Sequence, residues 1–252
     1  MSANQDFKGR RVVVTGAAQG LGRAIADRFA AAGASILAID LPDALEGCPE
    51  DWTPVPLDLL AADADTRLAE AAAAAGVVDT LVANAGMVPP WRGVTELDRD
   101  EWIRVMTLNS WAVAATLGAF VPNLERSTRA SAILMASICG YKAHPKQVLY
   151  TASKHAVVGI LRCAALDLGS KVIRVNALAP GPIATDALMA RLATRHAEGG
   201  PSPEEALAAM AAETALGRMT TAEDVANTAY FLASDAAGAI TGQLVPVEAG
   251  LA

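Results

Sequence analysis

The sequence predicts an α/β protein: one doubly wound domain with a mostly parallel seven-stranded sheet and helices on both faces. Three observations predict it. Short β-branched runs alternate with helical stretches along the whole 252 residues, the pattern that builds a parallel sheet through crossover helices. The first strand opens directly into a glycine-rich turn and then a helix, which is the start of a βαβ unit. No linker-like shift in composition divides the chain, so a single domain spans residues 1–252.

The elements follow in order. Arg11-Val12-Val13-Val14-Thr15 is a strand, and Gly16-Ala17-Ala18-Gln19-Gly20-Leu21-Gly22 is the turn after it. Ala24, Ile25, Phe29 and Ala30 recur at helical spacing, and Gly33 supplies the stop. Residues 34–40 form a second strand ending in Asp40. Residues 52–58 form a third, whose Pro54 and Pro56 suit a sheet edge. An Ala-rich helix over 61–75 ends at Gly76. Residues 79–83 are a fourth strand running into Asn84-Ala85-Gly86. Leu97 to Leu124 is helical. Ala132-Ile133-Leu134-Met135-Ala136 is a buried strand closed by Ser137, and a helix over 147–168 follows. Strand six covers 172–178 and runs into Ala179-Pro180-Gly181-Pro182. Residues 184–216 are helical by composition and broken at Gly199-Gly200-Pro201, which predicts a mobile substrate lid. Thr221 to Ser234 is a helix with Glu223 and Asp224 in its first turn, where they suit the dipole. A last strand covers 239–247.

Composition narrows the function. A net charge of −7 with no Lys/Arg cluster argues against nucleic acid or an anionic membrane as partner. No uncharged apolar run reaches the roughly 20 residues needed to span a bilayer. The N-terminus, Met1 to Asp6, lacks the pattern of a signal peptide. Cys48, Cys139 and Cys163 are odd in number and widely spaced, which suits a reducing compartment. These features predict a soluble, cytoplasmic protein. His144, His155 and His196 are scattered, and no metal site is predicted.

Two stretches carry chemistry. The glycine turn sits where a pyrophosphate binds: glycine lets the backbone approach phosphate, and the helix N-terminus offers free N–H groups and a favourable dipole. Its Gly-x-x-x-Gly-x-Gly spacing departs from the common Gly-x-Gly-x-x-Gly fingerprint, and a turn that only connects strand to helix is the plainer alternative. Asp40 stands where a carboxylate accepts hydrogen bonds from the adenosine ribose and repels a 2′-phosphate. No Arg or Lys lies among Ala17, Ala18 and Gln19, so NAD is favoured over NADP. The alternative is that Asp40 only caps the helix after it. The second stretch runs from Ser137 to Lys154. Tyr150 and Lys154 are four apart and share a helix face. An ammonium beside a phenol favours phenolate and lowers a pKa that is ordinarily about 10. Such a Tyr exchanges protons with an alcohol or carbonyl. Helical Tyr-x-x-x-Lys pairs also arise by chance, so the pair gains its weight from its setting.

In that setting the chain resembles the short-chain dehydrogenase/reductase family, in its small, single-domain, NAD-dependent branch with a Rossmann-type fold. The resemblance covers roughly residues 8–250 and rests on motifs in order: Thr15-Gly16-x-x-x-Gly20-x-Gly22, Asp58, Asn84-Ala85-Gly86, Asn109, Ser137, Tyr150-x-x-x-Lys154, Pro180-Gly181 and Gly242. Ala83 stands where many members have a second Asn, and Glu248-Ala249-Gly250 replaces the usual Asp-Gly-Gly. The resemblance implies roles. Gly16, Gly20 and Gly22, with Gln19 and Leu21 among them, would hold the pyrophosphate, and Asp40 the adenosine ribose. Asp58 and Leu59 would border the adenine, and Asn84, Ala85 and Gly86 would lie along the cofactor. Tyr150 would be the general acid/base. Lys154 would lower its pKa and bind the nicotinamide ribose. Ser137 would hydrogen-bond the substrate oxygen, and Asn109 would hold a water linking Lys154 to solvent. Pro180, Gly181, Ile183 and Thr185 would bracket the nicotinamide, although Thr185 equally fits a helix cap. Without the family, Asn109 is expected on a helix surface.

The function expected is hydride transfer between NAD(H) and a secondary alcohol or ketone. The neighbours Met87, Val88, Trp91, Ile138, Cys139, Leu188, Met189 and Leu192 are mostly apolar, favouring a cyclic, aromatic or aliphatic substrate. His144 and Gln147 are possible substrate contacts. Two alternatives stand beside this. One is a carrier-linked 3-oxoacyl reductase, for which Arg126 and Arg129 are the basic candidates near the cleft. The other is a non-catalytic NAD sensor, which would have no physical need to keep Ser137, Tyr150 and Lys154 together. Small apolar positions on helices 97–124 and 147–168, with the habit of the family, predict a homotetramer with two-fold axes.

Overall fold

The computed structural model describes residues 6–251, apart from the side chains of residues 186 and 187. The start of the N-terminal stretch considered above, residues 1–5, lies outside the described residues. Seven strands form one sheet: β1 (Arg11–Thr15), β2 (Ser35–Asp40), β3 (Thr53–Pro56), β4 (Thr80–Ala83), β5 (Ser131–Met135), β6 (Arg174–Pro180) and β7 (Leu244–Val247). Their order is β3-β2-β1-β4-β5-β6-β7, and every neighbouring pair is parallel. The chain starts at the centre, winds outward to β3, then returns to β4 and winds the other way. That reversal opens a crevice beyond the carboxyl ends of β1 and β4, where such sheets bind ligands.

Nine α-helices are described: α1 (Gly20–Ala31), α2 (Pro42–Leu45), α3 (Ala64–Ala75), α4 (Arg99–Met106), α5 (Ala112–Leu124), α6 (Val148–Gly169), α7 (Asp186–Ala197), α8 (Pro203–Ala212) and α9 (Ala222–Ala233). Side chains alternate across a strand, so β1 sends Val13 to one face and Val12 and Val14 to the other. Val13 joins Leu81, Leu117, Phe120, Leu134, Val157 and Leu161 under α3, α5 and α6. Val12 and Val14 join Phe7, Ile25, Phe29, Val225 and Leu232 under α1 and α9. Burial on both faces explains why β4 and β5 are apolar after their first residues, Thr80 and Ser131. The proline-bearing β3 lies at the edge, as its missing donors require.

Several boundaries differ from the sequence expectation, and three have a clear physical reason. Strand six begins at Arg174, not Val172, because Val172 sits in the left-handed region (φ 58°). It closes the turn after α6, its N–H donating to the Gly169 carbonyl. The last strand shortens to Leu244–Val247, since a 3₁₀ turn (Asp235–Ala237) and Gly242 at φ 71° precede it. The helix expected over 97–124 runs from Arg99 and carries a single π turn, Thr107–Trp111, between α4 and α5.

That helix also corrects the statement about apolar runs. By length and composition, Arg99–Leu124 suffices to cross a bilayer. In the fold it is a core helix: Phe120 and Leu124 are buried, and Asn123 Nδ2 donates to the carbonyls of Ala72 (2.8 Å) and Gly76 (2.6 Å).

Val172 carries a testable cost. A β-branched residue at positive φ is strained by roughly 1–2 kcal/mol, and at 78% exposure its side chain recovers little by packing. Val172→Gly is expected to raise the thermal midpoint by about 2–4 °C. Differential scanning calorimetry at matched concentration checks this, and an unchanged or lower midpoint refutes it.

Candidate functional site

The crevice is built from the ends of β1, β4, β5 and β6. At β1, Gly16 (φ 65°) and Gly20 (φ 55°) make the turn. A Cβ on Gly22 would overlap the Gly16 carbonyl, so only glycine lets α1 start this close to the strand. Gln19 caps α1 without using its side chain, and no acidic residue occupies the first turn. Its leading N–H groups therefore face the crevice free for phosphate oxygens. These features fit a dinucleotide's pyrophosphate.

Thr15 and Asn84 lock the turn in place. Thr15 Oγ1 accepts from the N–H of Asn84 and of Ala85, both at 3.0 Å. Asn84 Nδ2 donates to the carbonyls of Thr15 (3.0 Å) and Gly16 (3.2 Å). Asn84 thus braces the turn from below. Asp40, at the end of β2, accepts from Ala18 N–H and Leu41 N–H, both at 2.8 Å. It points its carboxylate at the turn and caps no more of α2, which leaves the alternative of a simple cap without support. Arg23, whose charge reaches the same region near Cys48, is committed to Asp27 and the Gly47 carbonyl. Asp58 is exposed and accepts from Leu60 N–H. The Leu59 side chain is buried in the core, so only its backbone is available to the crevice.

Ser137 follows β5 and caps a 3₁₀ turn (Ile138–Gly140), its Oγ accepting from Cys139 N–H at 3.2 Å. Tyr150 and Lys154 lie one turn apart near the start of α6. Lys154 is only 4% exposed and donates to the Met135 carbonyl at 2.9 Å, with Nζ 5.8 Å from the Tyr150 ring centre. Asn109 is not on a helix surface: it is fully buried in the π turn. Its Oδ1 accepts from Met87 N–H (2.8 Å), and its Nδ2 donates to the Met87 carbonyl (2.8 Å) and Ser153 Oγ (3.1 Å). A Cβ on Gly86 would sit 3.2 Å from Asn109 Oδ1 and 3.6 Å from Lys154 Nζ, so Gly86 leaves open the space between them.

On the far side, Pro180 ends β6 and Gly181 approaches Glu248 too closely for a side chain. Ile183 packs against the α1 and α9 core, and Thr185 caps α7, accepting from Leu188 N–H. Gln147 precedes α6 and accepts a contact from Cys139 Sγ at 3.5 Å. Sequence reasoning missed Arg191, on α7. Its guanidinium lies 4.5 Å from the Trp91 ring centre, and its charge acts on Tyr150 and Cys139. An arginine on a helix that also carries Arg195 and His196 gives no periodic signal that could have singled it out.

The electrostatics reverse one expectation. Burial pushes the Tyr150 hydroxyl up to about 12, with Ser137 and Arg191 pulling in the opposite direction. Burial pushes Lys154 down to about 8. Desolvation penalises whichever form is charged, so it raises the phenol and lowers the amine, and the expected depressed phenol is not found in the ligand-free cleft. Among the described residues no group of three His, Cys, Asp or Glu is placed to hold a metal ion.

Comparison with known proteins agrees with this architecture. A family model described as enoyl-(acyl carrier protein) reductase matches residues 16–252. The 3-oxoacyl-[acyl-carrier-protein] reductase of Thermotoga maritima is 31% identical, over 97% of this chain and 98% of that one. The cis-4-hydroxycyclohexanecarboxylate dehydrogenase of Sinomonas cyclohexanicum is 34% identical, over 97% of each. Among solved structures, carveol dehydrogenase from Mycobacterium avium in complex with NAD superposes with a TM-score of 0.90 at 29% identity, covering 98% of each chain. A putative NAD(P)-dependent gluconate 5-dehydrogenase from Beutenbergia cavernae with bound NADP gives 0.88 at 34% identity, again covering 98% of each.

Lys154 links the site to stability. Its value in the fold lies below that of a free lysine, so unfolding takes up a proton between about 8 and 10.5, and stability rises with pH across that window. In the ligand-free protein, Lys154→Met is expected to gain on the order of 1 kcal/mol at pH 7. The gain should fade as pH climbs through 8 to 10.5, and above that window neither state of the parent carries the charge. Urea denaturation at several pH values tests this; a variant less stable at pH 7 contradicts it.

Proposed function

The chain belongs to the short-chain dehydrogenase/reductase family of NAD(P)-dependent oxidoreductases, and from that premise we propose that it is an NAD-dependent dehydrogenase of secondary alcohols, or a ketone reductase in reverse. One observation carries the reading: Ser137, Tyr150 and Lys154 converge at the carboxyl end of the sheet beside the glycine turn. NAD, when bound, accepts the hydride from the carbinol carbon. The chain handles the proton. Tyr150 Oη takes it from the alcohol, or gives it to a ketone. Ser137 Oγ–H donates to the reacting oxygen as charge develops there. Lys154 supplies a buried cation within reach of the Tyr150 ring, favouring phenolate during oxidation and offering a donor to the nicotinamide ribose. Asn109 fixes the loop at Met87 and faces the space beside Lys154 where a proton-carrying water would sit.

Asp40 supports NAD as the cofactor: a 2′-phosphate would meet its carboxylate, and the nearby Arg23 is already paired. The apolar Ile138, on the turn after Ser137, and Leu188 and Met189, at the start of α7, support a cyclic or otherwise apolar alcohol, in keeping with the names of two similar proteins, a hydroxycyclohexanecarboxylate dehydrogenase and a carveol dehydrogenase. The carrier-linked alternative loses its basic surface. Arg126 and Arg129 precede β5, at its amino-terminal end and so away from Ser137 at its carboxyl end, and Arg129 pairs with Asp235. Segment 184–216 acts as the lid, since α7 and α8 pack mainly on each other and little on the sheet.

The proposed homotetramer is supported by exposed Ile103 and Trp111 on the α4–α5 helix and by Leu166 on α6, which is 83% exposed. Gly118 and Gly159 leave open space for a partner backbone on the same helices. Light scattering at micromolar concentration should give four copies of the 25.9 kDa chain, and a monomer refutes it.

The function itself is tested with a panel of secondary alcohols under NAD and NADP. Turnover should favour NAD by at least about tenfold in kcat/KM, a modest charge-repulsion effect of about 1.4 kcal/mol. Asp40→Ala should erase that preference. Equal efficiency with both cofactors in the parent enzyme would sink the cofactor assignment.

A further inference from the structure

Helix α7 carries a cation, Arg191, whose charge acts on Tyr150 but which takes no proton in the proposed reaction. Arg191 stacks on Trp91, with Arg195 over the same ring at 5.4 Å. Arg191 Nη2 is buried without a hydrogen-bond partner, and so is Trp91 Nε1. No carboxylate among the described residues forms an ion pair with Arg191. A buried charged donor left unpaired is costly, by about 1–3 kcal/mol or more, and stacking alone would not require both donors to be hidden. The two donors belong to residues in mutual contact, and Arg191 lies within electrostatic range of Tyr150 and Cys139, which places the pair near the reacting end of the cleft.

We propose that Arg191 and Trp91 bind a carboxylate of the substrate, so that the alcohol oxidised here is a hydroxy acid. The inference rests on the reading of the cleft as an alcohol-oxidising site and sharpens its substrate class. A guanidinium nitrogen and an indole N–H supply one donor to each carboxylate oxygen. Ile138, Leu188 and Met189 cover the carbon skeleton between the two ends. The hydroxyl loses its proton to Tyr150 and its carbon loses a hydride to NAD, while the carboxylate passes through unchanged. Because Arg191 rides on the lid, substrate charge also draws α7 towards the sheet.

The test compares positional isomers of hydroxycyclohexanecarboxylate with their methyl esters, at saturating NAD. The parent enzyme should prefer at least one acid over its ester by about 100-fold or more in kcat/KM, expressed mainly in KM. Arg191→Met should collapse that ratio by a similar factor, and Arg191→Lys should restore part of it. Calorimetric binding of unreactive cyclohexanecarboxylate to the NAD complex gives a readout independent of turnover: the parent should bind it, and Arg191→Met should not. Equal loss for acid and ester in Arg191→Met would mean that Arg191 only positions α7, and overturns the proposal. So would a parent enzyme that prefers every ester and binds no carboxylate, though turnover of the esters would leave the dehydrogenase reading standing. Carboxylate binding that needs Arg191, with no turnover of any member, would uphold the anion site and count against the dehydrogenase reading.

Discussion

Desolvation of two groups, the Lys154 ammonium and the Tyr150 hydroxyl, sets the terms for everything else in the cleft. The same burial pushes one down to about 8 and the other up to about 12. An amine buried this way is expensive unless its charge finds acceptors. The fold provides one in the Met135 carbonyl, at the end of β5, where pairing continues with β6 but has ended on the β4 side. A phenol buried this way holds its proton until a charge or donor favours its release. Ser137 and Arg191 already pull in that direction, and Lys154 stands one helical turn away. The site is therefore poised by opposing effects, and small changes in what occupies the cleft shift which group carries the proton.

The rest of the structure holds this pair beside a nucleotide cradle. The reversal of winding between β1 and β4 creates the crevice. Thr15 and Asn84 tie the two strand ends together and fix the glycine turn. The π turn swings Asn109 inward, where it holds the loop after β4 against α6 through Met87 and Ser153. Single π turns commonly mark functional positions, and here the turn converts a residue of a surface-type pattern into a buried brace.

The sheet was legible in the sequence because its signals are local: β-branched runs, the glycine turn, prolines at an edge strand. The order of motifs along the chain also singled out Asn109, Ser137, Tyr150 and Lys154 as the candidates on which the proposed mechanism rests. What escaped was non-local or conformational. Val172 has the composition of a strand, yet the geometry of the α6 exit puts it at positive φ. Arg126 and Arg129 are close in sequence to Ser137, but a five-residue strand places them at the opposite, amino-terminal end of the sheet. The Tyr150 shift had the wrong sign because a Tyr-Lys pair shows the charge partner and hides the burial. Arg191 was invisible because its neighbours Trp91 and Cys139 come from distant loops.

The central claim is that Tyr150 exchanges the proton of the reacting oxygen. The most direct measurement is single-turnover hydride transfer by Tyr150→Phe at saturating NAD and substrate, with NAD affinity measured in parallel. General acid–base catalysis is worth about 10²–10⁴-fold, so the rate should fall by at least the lower end of that range while NAD binding stays near the parent value. A rate within about threefold of the parent, far below the effect expected for a lost acid/base, would contradict the account and remove Tyr150 from the mechanism.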